Sequence, residues 1–149
     1  MRRNLLLTLL LTAASLFGAD PWIGVWKMDL SKSKFPGPPP RDVILTYEAR
    51  EKGFHFTSAG KLQDGTPYSY SFTGAADGKE YKVENHPAYE TAMAKAANGV
   101  LEVEYRRAGS ALVSHKSEFK ENGTVMITTT VWSNPNGEPF TTVAHFDKQ

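Results

Sequence analysis

Five ring-bearing residues have the types and spacing expected of a small-molecule binding site. Three alternate along one short segment and two follow on later segments: Tyr68, Tyr70, Phe72, Tyr105 and His115. Residues two apart on a β-strand point to the same face, so these rings can line one common space. A phenol or imidazole joins an apolar ring to a polar tip, which suits a partly apolar ligand. The alternative is that the same rings only fill the core.

The other residues that carry chemistry do not form a catalytic or metal-binding motif. The four histidines, His55, His86, His115 and His145, lack the His-x-His or His-Glu-x-x-His spacing of a zinc site. Only His115 is in phase with the apolar residues of its segment. The sequence contains no Gly-x-Ser-x-Gly nucleophile motif. We therefore predict no metal, no cofactor and no catalytic residue, and expect a protein that is not an enzyme.

The charge balance disfavours a nucleic-acid partner. The 149 residues include 17 basic and 16 acidic side chains. Two of the basic residues, Arg2 and Arg3, lie in the first 19 positions, so the remainder carries 15 basic and 16 acidic residues. Such a chain has no general attraction to nucleic acid. It also has no Cys, so a disulfide framework and lipoprotein acylation at a Cys after the leader are both excluded.

The first 19 residues have the layout of a secretory signal peptide. Two Arg precede an apolar stretch over residues 5–14, and small residues follow up to Ala19. We expect cleavage after Ala19, or elsewhere between Ser15 and Ala19, and export to the periplasm or the cell exterior. The apolar stretch is short for a membrane span, so we expect none after cleavage. An uncleaved amphipathic anchor is the alternative.

The rest of the chain, residues 20–149, is predicted to be one all-β domain. Apolar and polar residues alternate between regularly spaced turn signals: Lys52-Gly53, Asp64-Gly65, Asp77-Gly78, Ala108-Gly109, Asn98-Gly99, Asn122-Gly123 and Asn136-Gly137. This pattern predicts an antiparallel up-and-down meander. Twist accumulates over nine or ten strands and closure removes both open edges, so we expect a β-barrel of about eight to ten strands.

Three segments need a separate interpretation. The Pro-rich stretch 31–42 is predicted to be an irregular connector across the end of the barrel, with a Pro-rich recognition role as the alternative. Residues 86–97 fit a short Ala-rich helix, but a strand over 90–96 that pairs with 100–107 keeps the meander continuous and is favoured. On the segment 125–132, Thr128 and Thr130 are expected on the outer face.

The run Ile23-Gly24-Val25-Trp26-Lys27-Met28 resembles the opening of lipocalins and fatty-acid-binding proteins, the calycin superfamily, and of small secreted bacterial lipocalin-like proteins. The resemblance implies that Trp26 plugs one end of the barrel and that Gly24 allows a close backbone approach. A Thr-Asp-Tyr-like turn motif and a late Arg-x-Tyr are absent. Lipocalins also pack a late Arg on the Trp, and Lys148 is the only late candidate for that place in this sequence. The ligands of those families therefore do not transfer to this chain.

The combined expectation is a secreted or periplasmic, non-enzymatic protein that binds a small hydrophobic or amphipathic ligand. A closed barrel of this size can enclose one such molecule, and the candidate inner face is aromatic. The alternative is an envelope-associated structural or protein-interaction module, in which the barrel is filled and holds no ligand.

Overall fold

The computed structural model describes residues 19–133 and 137–149, which form ten antiparallel strands closed into a barrel. The strands are β1 (Gly24–Lys34), β2 (Arg41–Arg50), β3 (Gly53–Lys61), β4 (Pro67–Gly74), β5 (Asp77–Glu84), β6 (Thr91–Ala97), β7 (Val100–Arg107), β8 (Ser110–Lys120), β9 (Val125–Trp132) and β10 (Phe140–Lys148). Each strand pairs with its neighbours in the chain, and β1 pairs with β10. The predicted all-β, up-and-down barrel is confirmed.

Some sequence expectations fall outside the described residues. Residues 1–18 of the predicted signal peptide (residues 1–19) lie there, and so does Asn136 of one predicted turn. Among the residues that are described, no helix is long and apolar enough to cross a membrane.

The segment with two interpretations is a strand. Thr91–Ala97 forms β6 and pairs along its whole length with Val100–Arg107 of β7 across the Asn98-Gly99 turn. Both turn residues have positive φ, 53° and 75°, which Asn and Gly tolerate. Ala92 and Ala94 are completely buried, so the small side chains let bulky residues fill the barrel. The Ala-rich composition therefore reflects close packing and not a helix.

The Pro-rich connector is shorter than predicted, because β1 continues to Lys34 through an irregular stretch. The Asp29 carboxylate accepts hydrogen bonds from the backbone N–H and the hydroxyl of Ser31, at 3.0 and 2.6 Å. The Ser33 hydroxyl donates to the Asp29 carbonyl at 2.7 Å and accepts from the backbone N–H of His145 at 3.0 Å. Side chains thus replace ladder bonds here, and the connector is reduced to 35–40, with Phe35 partly buried against the core.

The two ends of the barrel differ in what covers them. The end that we call the closed end holds the start of β1, the end of β10 and the short turns after β2, β4, β6 and β8. Trp26 is completely buried there, and its indole N–H donates to the Trp22 carbonyl at 2.9 Å. The opposite end, which we call the loop end, holds the connectors 35–40, 62–66, 85–90 and 108–109.

The expectation that Thr128 and Thr130 lie on the outer face is wrong. Both are buried inside the barrel with Met126. Both faces of β9 carry uncharged residues, several of them β-branched, so the alternation alone does not say which face is inward. Hydrogen bonds satisfy both hydroxyls on the inward face: that of Thr128 pairs with that of Ser117 at 2.8 Å, and that of Thr130 pairs with His115 Nδ1 at 2.8 Å.

Candidate ligand-binding site

Three of the five predicted rings, Tyr68, Tyr70 and Tyr105, meet in the half of the barrel near the loop end. The Tyr70 ring packs edge-on against Tyr105, with the ring centroids 5.8 Å apart, and stacks near Tyr68 at 6.2 Å. Phe72 contacts Tyr105 at 6.2 Å. This grouping, with two further rings described next, is called the aromatic wall. It forms because β4 presents alternate residues to the interior and faces β7 across it.

Sequence reasoning missed two members of the aromatic wall, His86 and Tyr89, which lie in the loop between β5 and β6. Their rings stack 3.6 Å apart and nearly parallel, and Tyr89 stacks in turn on Tyr105 at 4.5 Å. His86 Nδ1 accepts hydrogen bonds from the backbone N–H groups of Ala88 and Tyr89, both at 3.0 Å. The clue in the sequence was the Asn85-His86-Pro87 run, which is typical of a loop. It was interpreted only as the beginning of a segment that could be a helix or a strand.

His115 connects the aromatic wall to a polar side of the barrel. Its ring packs edge-on against Tyr105 at 5.4 Å and against Trp132 at 6.4 Å. Its Nδ1 bonds the hydroxyl of Thr130, whereas Nε2 has no hydrogen-bond partner among the described residues. The prediction that His115 points inward agrees with these contacts.

Opposite the aromatic wall, strands β8, β9 and β10 present hydroxyl groups to the interior. The buried members are Ser117, Thr128, Thr130 and Thr142. Ser117 and Thr128 bond each other, and Thr142 accepts a hydrogen bond of 3.2 Å from the indole N–H of Trp132. We call these four residues the hydroxyl wall. Serine and threonine hydroxyls both donate and accept, so this wall can meet either kind of ligand group.

The titratable groups of the interior are neutral near pH 7. Burial lowers the pKa of His115 to about 4 and also lowers the pKa of His86. Burial raises the pKa of Tyr70 to about 12, and it raises the pKa values of Tyr89 and Tyr105 further. The phenols therefore keep their protons and the imidazoles lack an added one, so the site offers hydrogen-bonding groups without charge.

The charged residues lie on the outside of the barrel. Glu102, Glu104 and Arg106 alternate along the outer face of β7, as the sequence predicts for a solvated face. Arg106 pairs there with Glu104 and, through Nε at 2.7 Å, with Glu80 of β5. The Nε–Glu80 contact has ion-pair distance without the direction of a hydrogen bond. These pairs brace the outer face and leave the interior uncharged.

The described residues contain no group of three His, Cys, Asp or Glu side chains placed to hold a metal ion. Two of the clefts on the described surface lie away from the aromatic wall. One, of about 530 Å³, is at the closed end between Asp20, Phe119 and Lys148. The other, of about 430 Å³, runs along β1 beside Lys27 and Asp147. Neither cleft is lined by a residue of the aromatic wall or of the hydroxyl wall.

Comparison with known proteins adds no assignment. No protein-family model matches the chain, and no curated protein matches it significantly.

Proposed function

We propose that this protein binds a small, partly apolar molecule at the loop end of its barrel, between the aromatic wall and the hydroxyl wall, without catalysing a reaction. The observation that carries the proposal is that some rings near the loop end stay partly exposed. Tyr105 and Tyr89 of the aromatic wall are closed to solvent, at 2 % and 8 % exposure. Tyr68, Tyr70 and His115 beside them are only partly buried.

A ligand can contact an aromatic ring that is partly exposed, but not one that is fully buried. A ring that is fully packed has no face or edge left for another molecule, whereas a half-buried ring keeps one. His86 and Trp132 are also half-buried, so accessible rings lie on both sides of the loop end. The polar tips of the tyrosines and the free Nε2 of His115 would orient the bound molecule.

The proposal extends to family and location. We propose that the chain is a calycin, exported and cleaved after its leader. The support is the closed end: Gly24, Trp26 and Lys148 meet there as the lipocalin resemblance implies, with the Lys148 ammonium 5.5 Å from the centre of the Trp26 ring. Lipocalins pack a late Arg on the first-strand tryptophan, and Lys148 takes that place here.

Titration of residues 20–149 with N-phenyl-1-naphthylamine, whose fluorescence rises in apolar surroundings, tests binding. We expect saturable uptake by the wild type. Tyr68→Ala is expected to weaken it roughly tenfold, since it removes a ring of the aromatic wall. Tyr81→Ala is the matched control, because Tyr81 is also a half-buried tyrosine but donates to Asp77 on the outside. Absence of uptake, or equal effects of the two variants, would refute the proposal.

A second candidate, a protein-interaction role, is favoured by one observation. Trp132 and Phe140 stack nearly parallel at 5.9 Å, and Phe140 is 40 % exposed. An exposed apolar pair of this kind suits contact with another protein. If the barrel takes up no apolar probe, this second role becomes the better account.

A further inference from the structure

We infer that the molecule bound at the loop end is uncharged in the part that enters the barrel: a planar ring system carrying hydroxyl, carbonyl or amide groups, and not a carboxylate, phosphate or amine. This inference rests on the proposed function and adds the ligand's chemical class. The evidence for it is the position of the polar and of the charged side chains in the barrel.

The polar side chains that are buried in the described residues share one chemistry. All are hydroxyls, namely Ser58, Ser117, Thr128, Thr130 and Thr142. Buried charged side chains do not occur among residues 19–133 and 137–149. A carboxylate or ammonium entering this space would lose its hydration and find no opposite charge, which is strongly unfavourable.

The charges at the loop end do not supply the missing partner. Lys61 pairs with Asp42 at 3.4 Å, and Arg107 pairs with Glu90 at 3.7 Å. All four side chains are more than half exposed, so they face water and not the interior. Lys34 and Arg41, which flank the connector 35–40 at the same end, are exposed as well, so these cations also face water and not the interior.

The groups that do line the site match a neutral, planar ligand. Phenol and imidazole rings favour stacked or edge-on contact with another flat ring, as they already make with one another at Tyr70, Tyr89 and His86. Neutral His115 offers Nε2, and the buried Ser58 hydroxyl belongs to the residue of β3 that pairs directly with Tyr70. Uncharged hydroxyl and carbonyl groups can bond these partners without a desolvated charge.

Two probes with one skeleton separate charge from shape. N-phenyl-1-naphthylamine is neutral, and 8-anilinonaphthalene-1-sulfonate is the same ring system with a sulfonate. We expect the wild-type protein to bind the neutral probe at least about tenfold more tightly. Equal affinities, or tighter binding of the sulfonate, would overturn the inference and leave the proposed function standing. Uptake of neither probe would refute the proposed function and this inference with it.

A cation introduced at the site should shift the preference from the neutral probe toward the sulfonate. Tyr68→Lys puts an ammonium on a half-buried rim position, from which it can reach both water and the site. We expect the sulfonate-to-neutral affinity ratio to rise about tenfold or more and to fall again with added salt. Ser69→Lys, the exposed outer neighbour on the same strand, controls for a general charge effect and should leave the ratio unchanged. An unchanged ratio in a folded Tyr68→Lys protein would contradict the inference.

Discussion

The ammonium group of Lys148 lies 5.5 Å from the centre of the Trp26 ring, so the last residue of β10 covers the tryptophan of β1. The two residues are also direct partners in the β1–β10 pairing, the contact that closes the barrel. Gly24 makes room for the Lys148 side chain and not, as expected, for another backbone: its φ is 143°, and a Cβ there would lie 2.7 Å from Lys148 Cε. The strand pairing that closes the barrel therefore also places the residue that covers Trp26 at the closed end.

Lys148→Met should lower the free energy of unfolding by about 0.5–1 kcal/mol, because it keeps most of the apolar stem and removes the charge over the indole. Lys148→Arg keeps a cation at this position and should stay closer to the wild type. Urea unfolding followed by tryptophan fluorescence measures both. Equal losses in the two variants would show that the charge over Trp26 contributes nothing.

Trp26→Ala should cost about 3–5 kcal/mol, since it empties the closed end and removes the hydrogen bond to the Trp22 carbonyl. Val25→Ala is the matched control on the adjacent residue. Val25 points outward and is 38 % exposed, so its truncation should change stability by about 0.5 kcal/mol or less. Circular dichroism during urea unfolding measures the pair, and similar losses would disprove the plugging role of Trp26.

The fold could be predicted because period-two alternation and turn chemistry agree along most of the chain. Leu101, Val103 and Tyr105 are all buried, at 1 %, 5 % and 2 % exposure, as their alternation with Glu102 and Glu104 requires. The Asn98-Gly99 turn correctly favoured a strand over a helix. The same signal placed Tyr70, Tyr105 and the other predicted rings on inward faces.

The site was only partly predictable, for two physical reasons. Where both faces of a strand are uncharged, as on β9, alternation does not identify the inward face, so Thr128 and Thr130 were misplaced. Loops have no period at all, so nothing in the pattern could bring His86 and Tyr89 over Tyr105. The Asp77-Gly78 signal was also wrong as a turn: the chain reverses at 75–76, and Gly78, with φ of 77°, lies within β5.

Gly53→Ala should destabilise the barrel by about 1–3 kcal/mol, because the new methyl group would overlap backbone. A Cβ at this position would lie 1.9 Å from the carbonyl oxygen of Gly74, so β3 and β4 would have to separate. Gly37→Ala is the control: no heavy atom lies within 4 Å of its Cβ position, and stability should stay within about 0.5 kcal/mol. Thermal unfolding distinguishes them, and a neutral Gly53→Ala would contradict the close strand contact.

Export can be checked directly. When the full chain is expressed in a bacterium, we expect the periplasmic or secreted protein to begin at Asp20. Such a product keeps Trp22, whose ring packs edge-on against Phe54 at 6.3 Å. Intact-mass measurement of the fractionated protein gives the terminus. Replacing Arg2 and Arg3 by Glu should slow export, whereas Arg50→Glu should not. A full-length cytoplasmic product would contradict the leader prediction.

Stability should fall as the pH drops from about 6.5 toward 4, and His115 should account for much of the loss. Burial lowers its pKa to about 4 in the folded protein, against 6.5 as the ordinary value in an unfolded chain. Between these values the unfolded chain binds a proton that the folded one does not, so protonation favours unfolding. The stabilising contribution is complete above about 6.5 and declines by roughly 3 kcal/mol as the pH approaches 4.

The lowered pKa of His86 also makes the free energy of unfolding fall as the pH drops. The test therefore compares the pH dependence of stability between variants. His115→Gln cannot titrate but can still bond Thr130, and it should flatten the pH dependence of the urea midpoint between pH 7 and 4.5. His55→Gln, on the outer face beside Thr73, is the control and should follow the wild type. If His115→Gln loses stability with the same slope as wild type, the buried imidazole does not stay neutral and the uncharged character of the site fails with it.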